Sequence, residues 1–391
     1  MQVAIVGAGI TGLALTHYLA ERGVESRTFE AADEPGGVIR SRRVDGTVLE
    51  VGPQRMRLTP GVGDLLESVG IRDDVIEAEE APLFVYADGR LREAPMDAST
   101  LLRTDLLSWR GKLRLLAEPL TRAGHPQETA GELFTRKFGR EAYERFIGPL
   151  YGGIYGSDPA EMPAAYALES LLEREAETGS FLQAFRQRVG QGQSAPPISF
   201  TAGNQQLPRA LYDAHADRID LETPVIDVRL ASESDRESTA AATKTNGSGE
   251  GRYLVETPRA THRADHVVVT TPAHVTADVL GGIAEGAEAL AGMTYNPLAM
   301  VHLRARSDRE GFGYQVALGE DLHTLGSSWN ASMFDRDGLY TVFLGGMHDP
   351  AFVERDEDEI GAIARREFEQ VMDAGAEVLH VSTREKWFPA W

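Results

Sequence analysis

Two rhythms of apolar and polar positions alternate along this chain. Val3 to Val6 is an apolar, β-branched stretch of the kind a strand buried on both faces requires. Ile10, Leu13, Leu15 and Leu19 then recur at roughly helical spacing, and Gly23 stands where that helix should end. Ser26 to Phe29 reads as a second strand. Residues 42–51 alternate into LEVGP, which predicts a strand running into a sharp turn at Gly52-Pro53. Val62, Leu65, Leu66 and Val69 share one face of a helix predicted over 61–76. Leu83 to Tyr86, Asp88-Gly89 and Leu91 read as a hairpin. Helical periodicity dominates from about 98 to 190, interrupted by Pro119, Pro149 and Pro163. Strand patterns return near 198, at 219–221, 225–230, 253–256 and 266–270, and again at 298–303 and 339–345. An acidic helix is predicted at 357–372. The polar, aperiodic run 232–251 reads as a flexible hairpin tip. No internal repeat is visible.

The first strand, turn and helix carry chemistry. Gly7, Gly9 and Gly12 follow the strand in G-x-G-x-x-G spacing. Gly7 permits the tight turn, Gly9 lets a pyrophosphate approach the backbone, and Gly12 lets the helix lie close to the sheet. The helix then aims free amide hydrogens and the positive end of its dipole at the phosphates. Glu30 ends the second strand, 21 residues after Gly9, near the spacing of an acid that binds ribose hydroxyls. Alone, the glycines fit any strand-to-helix turn, and Glu30 alone fits a solvated carboxylate. Together they predict a dinucleotide site, and the further pair Gly36-Gly37 points to FAD rather than NAD.

Length and charge narrow the rest. A chain of 391 residues can bury a sizeable core and form two or three domains. No run of about 18 apolar residues is present, and no basic, apolar leader precedes the first strand, so neither a membrane span nor a signal peptide is expected. Cysteine is absent, which excludes disulfides, thiolate metal sites and a cysteinyl-flavin bond, and a cytoplasmic setting is expected. No histidine spacing suggests a metal site. The net charge is −21, with four Lys against 35 Arg. Such an acidic, lysine-poor surface suits a halophilic, high-salt interior, and codon bias in a GC-rich genome is the plainer source of the arginines. Nucleic acid is not an expected partner. Asn246-Gly247-Ser248 and Asn330-Ala331-Ser332 match the glycosylation pattern and read as chance.

Several segments together resemble the FAD-dependent protoporphyrinogen oxidases of the amine-oxidase-like flavoprotein superfamily. The superfamily part is VAIVGAGITGL, FEAADEPGGVIRS and GTVLEVGP. The more specific part is residues 136–180, RKFGREAYERFIGPLYGGIYGSDPAEMPAAYALESLLEREAETGS, followed in order by SFTAGNQQLPRAL, GFGYQVAL, LGSSWNASMFDR, TVFLGG and KWFPAW. The resemblance implies an α/β fold of three parts. A Rossmann-like FAD-binding domain would be built from discontinuous segments, 1–80 and 198–285. A mixed-sheet substrate domain would take 81–97 and 286–391, and a helical insertion domain 98–197. Family members continue past the KWFPAW segment with a glycine-containing stretch that packs on the flavin. The sequence stops at Trp391, so truncation is expected to remove one wall of the cofactor site.

The resemblance also implies roles. Gly7, Ala8, Gly9, Ile10, Thr11 and Gly12 would hold the pyrophosphate of non-covalent FAD, and Glu30 with Ala31 the adenosine ribose. Gly36, Gly37, Arg40 and Ser41 would line the pyrophosphate and ribityl chain. Gly52, Pro53 and Gln54 would lie by the isoalloxazine, Val225 would meet the adenine through its backbone, and Trp387 would stand near the flavin edge. A surface arginine at 40 or 57 and a core aromatic at 387 are the plainer readings of those residues. The implied reaction is oxidation of protoporphyrinogen to protoporphyrin with dioxygen as acceptor, six electrons leaving in three steps. Arg55 and Arg57 are the candidates for the substrate propionates, since they follow the Gly52-Pro53 turn. Residues 101–120 interleave Leu and Trp with Arg and Lys, which suggests either peripheral membrane contact or a helix packed on its own core. Coproporphyrinogen III oxidation, another flavin oxidase of the same architecture (an amine oxidase or carotenoid desaturase) and a non-catalytic flavin-binding protein are the alternatives.

Overall fold

The computed structural model describes residues 1–125, 127–183, 195–232 and 252–390. The low-complexity run read as a hairpin tip and Asn246-Gly247-Ser248 lie outside the described residues, Ser232 excepted. The chain divides into two compact units. The first is Met1–Arg43, Val48–Ile76 and Pro197–Met293, and the second is Val44–Thr47, Glu77–Pro196 and Thr294–Trp391.

In the first unit the strand Gln2–Val6 pairs in parallel with Glu25–Phe29 on one side and His266–Val269 on the other. Ile219–Asp220 extends the sheet beyond Glu25–Phe29. Apolar layers cover both faces, as a parallel sheet demands. One layer joins Leu13 of the first helix, Ile10–Glu21, to Leu66, Phe200 and Leu211. The other sets Ala4 and Phe29 against Val228, Val255 and Val279. Strand order departs in opposite directions from Gln2–Val6, so the switch point lies at its C-terminal end, where open α/β sheets bind ligands.

The predicted strand over 42–51 is instead two, Ser41–Val44 and Thr47–Glu50, folded at Asp45-Gly46. Both tip residues have positive φ, 47° and 81°, so Asp-Gly makes a tight hairpin turn there.

The second unit holds a seven-stranded sheet in the order Ala376–Pro389, Tyr295–Ala305, Leu339–Gly345, Thr324–Ser328, Gly313–Val316, Leu83–Ala87 and Arg90–Glu93. The acidic helix Glu357–Met372 buries Ile360, Ala364 and Phe368 against one face of it, beside Val301, Val342 and Tyr314. The helical region has its own core around Leu133, Phe134, Phe138 and Met162. Within that region Lys137 is fully buried between Glu118 and Glu175. Segment 143–158 is fastened to the sheet. Leu318 N–H donates to the Glu144 carbonyl at 2.9 Å, and Asn296 Nδ2 donates to the Gly156 carbonyl at 2.7 Å.

Candidate functional site

The glycine loop opens at the switch point of the parallel sheet. Gly7 takes φ +100°, and its N–H donates to the Phe29 carbonyl at 2.8 Å, which turns the chain across the end of the second strand. Gly12 is glycine for another reason: a Cβ there would stand 1.9 Å from the Gly7 carbonyl oxygen. At Gly9 a Cβ would meet nothing within 4 Å. The backbone of Gly9 thus faces open space, on the side from which an anion can approach. Gly9 also caps the first helix without any side-chain hydrogen bond, and the first turn carries no acidic residue. The amides of Ile10, Thr11 and Gly12 remain available to a phosphate.

Glu30 is held against this loop. Its Oε2 accepts the Ala8 N–H at 2.6 Å and its Oε1 the Ala32 N–H at 2.9 Å. The ribbon 220–223 braces the same strand end, with Glu30 N–H donating to Asp220 and Thr223 N–H donating back to Glu30. Val225 is half-buried just beyond that ribbon, and Ala31 is exposed.

The second glycine pair leans on the first loop. Gly36 N–H donates to the Ala8 carbonyl at 2.9 Å, and a Cβ on Gly37 would stand 3.2 Å from Gly9 Cα. Arg40 is not a free surface arginine: it pairs with Glu34 and donates to the Gly37 carbonyl at 3.1 Å. Gly52 packs backbone against backbone, since a Cβ there would stand 2.1 Å from the Val38 carbonyl oxygen.

Behind the Gly52-Pro53 turn lies a buried polar network. Glu50 is 1% exposed and accepts from Ser41 Oγ at 2.7 Å and from the Asn204 N–H at 3.0 Å. Asn204 Nδ2 donates to the Pro53 carbonyl at 2.8 Å, and Gln54 Nε2 donates to the Glu50 carbonyl at 2.7 Å. Ser41 and Gln54 therefore hold the turn. Arg55 and Arg57 follow it, Arg57 at the end of the short strand Met56–Arg57. Burial, and then the neighbouring Arg57 charge, push the Arg55 guanidinium down to about 10, so it stays cationic at neutral pH. Trp387 lies in the second unit, half-buried on the strand Ala376–Pro389.

Glu34, Glu50, Asn204 and Thr270 were missed as site residues, as was Gln205, whose Oε1 accepts the Ser41 N–H at 3.1 Å and whose Nε2 donates to Glu34 at 2.8 Å. Thr270 Oγ1 donates to the carbonyls of Val6 and Gly7, 3.0 and 3.1 Å away, and closes over the first turn. Its position directly after the strand VVV was the available signal.

The residues present fit a dinucleotide: an open glycine backbone, an uncapped helix start and an acid fixed at the strand end. A model of flavin containing amine oxidoreductases matches residues 10–388. The chain belongs to that family. Its flavin-dependent oxidoreductase character follows, and the Rossmann-like loop is where this family member can hold the cofactor's phosphates. Protoporphyrinogen oxidase 2, chloroplastic/mitochondrial, of Arabidopsis thaliana is 26% identical over 97% of this chain and 82% of its own length. Coproporphyrinogen III oxidase of Staphylococcus aureus is 25% identical over 95% of this chain and 84% of its own. The crystal structure of a putative protoporphyrinogen oxidase from Exiguobacterium sp. 255-15 superposes with a TM-score of 0.79 at 22% identity, covering 100% of this chain and 87% of that one, which shows the shared fold. Among the described residues no helix is long and apolar enough to cross a membrane, and no group of three or more acidic or histidine side chains is placed to hold a metal ion.

Proposed function

We propose that this chain is an oxidase that binds FAD non-covalently and converts a porphyrinogen to the porphyrin with dioxygen as acceptor. The observation that carries this reading is that both curated relatives described above, aligned with 97% and 95% of the chain, are named for oxidation of a porphyrinogen. FAD, when bound, would supply two-electron redox chemistry: the porphyrinogen-to-porphyrin conversion releases six electrons, which three such rounds would deliver to dioxygen.

The chain's own residues bind and orient. The Gly7–Gly12 loop and the first-turn amides hold the pyrophosphate. Glu30 takes the ribose hydroxyls while keeping its bond to Ala8. The Gly52-Pro53 turn, stiffened by Glu50 and Asn204, supports the ring side of the cofactor, and the Val225 backbone meets the adenine. Trp387 at the flavin edge rests on the family resemblance. Arg55 and Arg57 supply two cations for two propionates, which favours the dicarboxylate protoporphyrinogen over the tetracarboxylate coproporphyrinogen.

The helix Trp109–Leu116 supports a further part of the proposal, contact with a lipid surface. Trp109 and Leu113 are 68% and 66% exposed, Leu120 just beyond the helix is 89% exposed, and Arg110 beside Trp109 is exposed as well. Apolar tips beside cations suit a membrane interface.

Porphyrin fluorescence and oxygen uptake with the two porphyrinogens test the function. Turnover of protoporphyrinogen is expected, with a KM that rises about tenfold in Arg55→Gln. Turnover of coproporphyrinogen alone moves the substrate assignment to the tetracarboxylate. Bound flavin without turnover of either leaves a flavin-binding protein.

A further inference from the structure

A row of side chains crosses the seven-stranded sheet on the face turned away from the helix Glu357–Met372. Strand register sets Ser382, Met300, Phe343, Gly326, Gln315 and Val85 side by side. Gly326 leaves a gap in this row. It is a glycine inside a strand, and Gly153 is a glycine inside the helix Gly148–Tyr155. Neither has positive φ, so neither is required by its own backbone conformation.

Both glycines make room for the same side chain. A Cβ on Gly153 would stand 2.8 Å from Gln315 Oε1 and 3.2 Å from both Cδ and Nε2. A Cβ on Gly326 would stand 3.0 Å from the same Oε1, and 2.5 Å from the Tyr314 carbonyl oxygen. The Gln315 amide thus lies across Gly153 and against Gly326. It is half-buried, and among the described residues it makes no hydrogen bond. An amide in that position is costly to desolvate unless water or a ligand meets it. The helix on its other side is fixed: besides Asn296 on Gly156, the Asp158 N–H lies 2.8 Å from Met347 Sδ.

We propose that the Gln315 carboxamide is a specificity-determining contact for the tetrapyrrole, its oxygen accepting from the pyrrole N–H groups. This rests on the porphyrinogen reading. A porphyrinogen turns four N–H donors and no ring acceptor toward the centre of its macrocycle, and a carboxamide oxygen is the complementary group. A porphyrin keeps two of those N–H groups, so the contact favours substrate over product. Phe343, two strands from Gln315 and about 9.5 Å away at sheet spacing, offers an apolar neighbour for the rest of the ring.

The test uses Gln315→Leu and Gly153→Ala in the flavin-loaded protein. Gln315→Leu removes the acceptor, and Gly153→Ala displaces it without touching its chemistry. Each variant is expected to raise KM for protoporphyrinogen about tenfold, with the change falling on KM rather than kcat. Quenching titration is expected to show a Kd for protoporphyrin IX weakened about threefold, with flavin content unchanged. KM and Kd both within twofold of the parent in both variants overturn the assignment. A parent protein that binds protoporphyrin IX yet oxidises no porphyrinogen overturns the oxidase reading, and the Kd comparison then decides Gln315 by itself. A parent that binds no tetrapyrrole overturns both.

Discussion

Glu30 and Ala8 are joined by a 2.6 Å hydrogen bond, so the acid at the end of the second strand is tied to the glycine loop it is meant to work with. One carboxylate oxygen fixes the loop and the other takes the Ala32 N–H. Replacement by alanine removes the loop brace and the proposed ribose partner together. Glu30→Ala is expected to weaken FAD binding about 10- to 100-fold, measured by titrating deflavinated protein and following flavin absorbance. Unchanged affinity contradicts the ribose role.

Gly9 and Gly12 are glycines for different reasons, and their alanine variants should part accordingly. Gly12→Ala drives a Cβ into the Gly7 carbonyl 1.9 Å away and is expected to destabilise the fold by about 2 kcal/mol or more. Gly9→Ala meets open protein space and should unfold at the parent's denaturant concentration while losing flavin affinity. Equal stability losses in the two variants would place the steric demand elsewhere.

Lys137 is the shared cation of two buried carboxylates, Glu118 and Glu175. Burial pushes the Glu118 carboxyl up, but hydrogen bonds from Ser180, Phe181, Leu182 and Lys137 outweigh it and the net direction is down. A lowered folded value means that Glu118 stabilises the fold fully above the ordinary glutamate pKa, about 4.3. That contribution is lost as pH falls through the folded value. Lys137→Met leaves the carboxylates unpaired and is expected to cost about 3–5 kcal/mol at pH 7. Without Lys137, burial favours the neutral Glu118 carboxyl, so acid relieves the variant before it affects the parent, and the difference in urea midpoint should shrink between pH 7 and pH 4. A difference independent of pH contradicts the electrostatic origin.

The exposed apolar tips of the helix Trp109–Leu116 are tested by co-sedimentation with phosphatidylglycerol-containing vesicles. The parent is expected to pellet with vesicles, and Trp109→Ser with Leu113→Ser to stay in solution, both substitutions being at exposed positions. Equal pelleting of parent and double variant removes this helix as the lipid contact.

Legibility in the sequence followed the range of the interactions. The first strand, glycine loop, helix and Glu30 could be read because every contact among them is made within about thirty residues, each glycine having a local steric cause. The strands Gly313–Val316 and Thr324–Ser328 could not. Both are short, Thr324–Ser328 is rich in Gly and Ser, and Gly313–Val316 pairs in parallel with Leu83–Ala87, far away in sequence. Ala376–Pro389 was hidden by its charged residues, although it lies against ten residues of the strand Tyr295–Ala305. The hairpin at Asp45-Gly46 was signalled by that dipeptide and overlooked beneath the alternation around it. The network behind Gly52-Pro53 was out of reach for a different reason, since Glu50 and Asn204 meet across 154 residues. Ser41, Arg40 and Gln54 were assigned to the cofactor from the resemblance; in the structure their polar atoms fix the turns.

The most direct measurement is the flavin absorbance near ~450 nm of purified protein, followed under strictly anaerobic conditions as protoporphyrinogen is added. Bleaching in proportion to the porphyrin formed, and recovery of the band on admitting air, is the expected result. A flavin band that stays unbleached in the presence of excess protoporphyrinogen would contradict porphyrinogen oxidation by this chain.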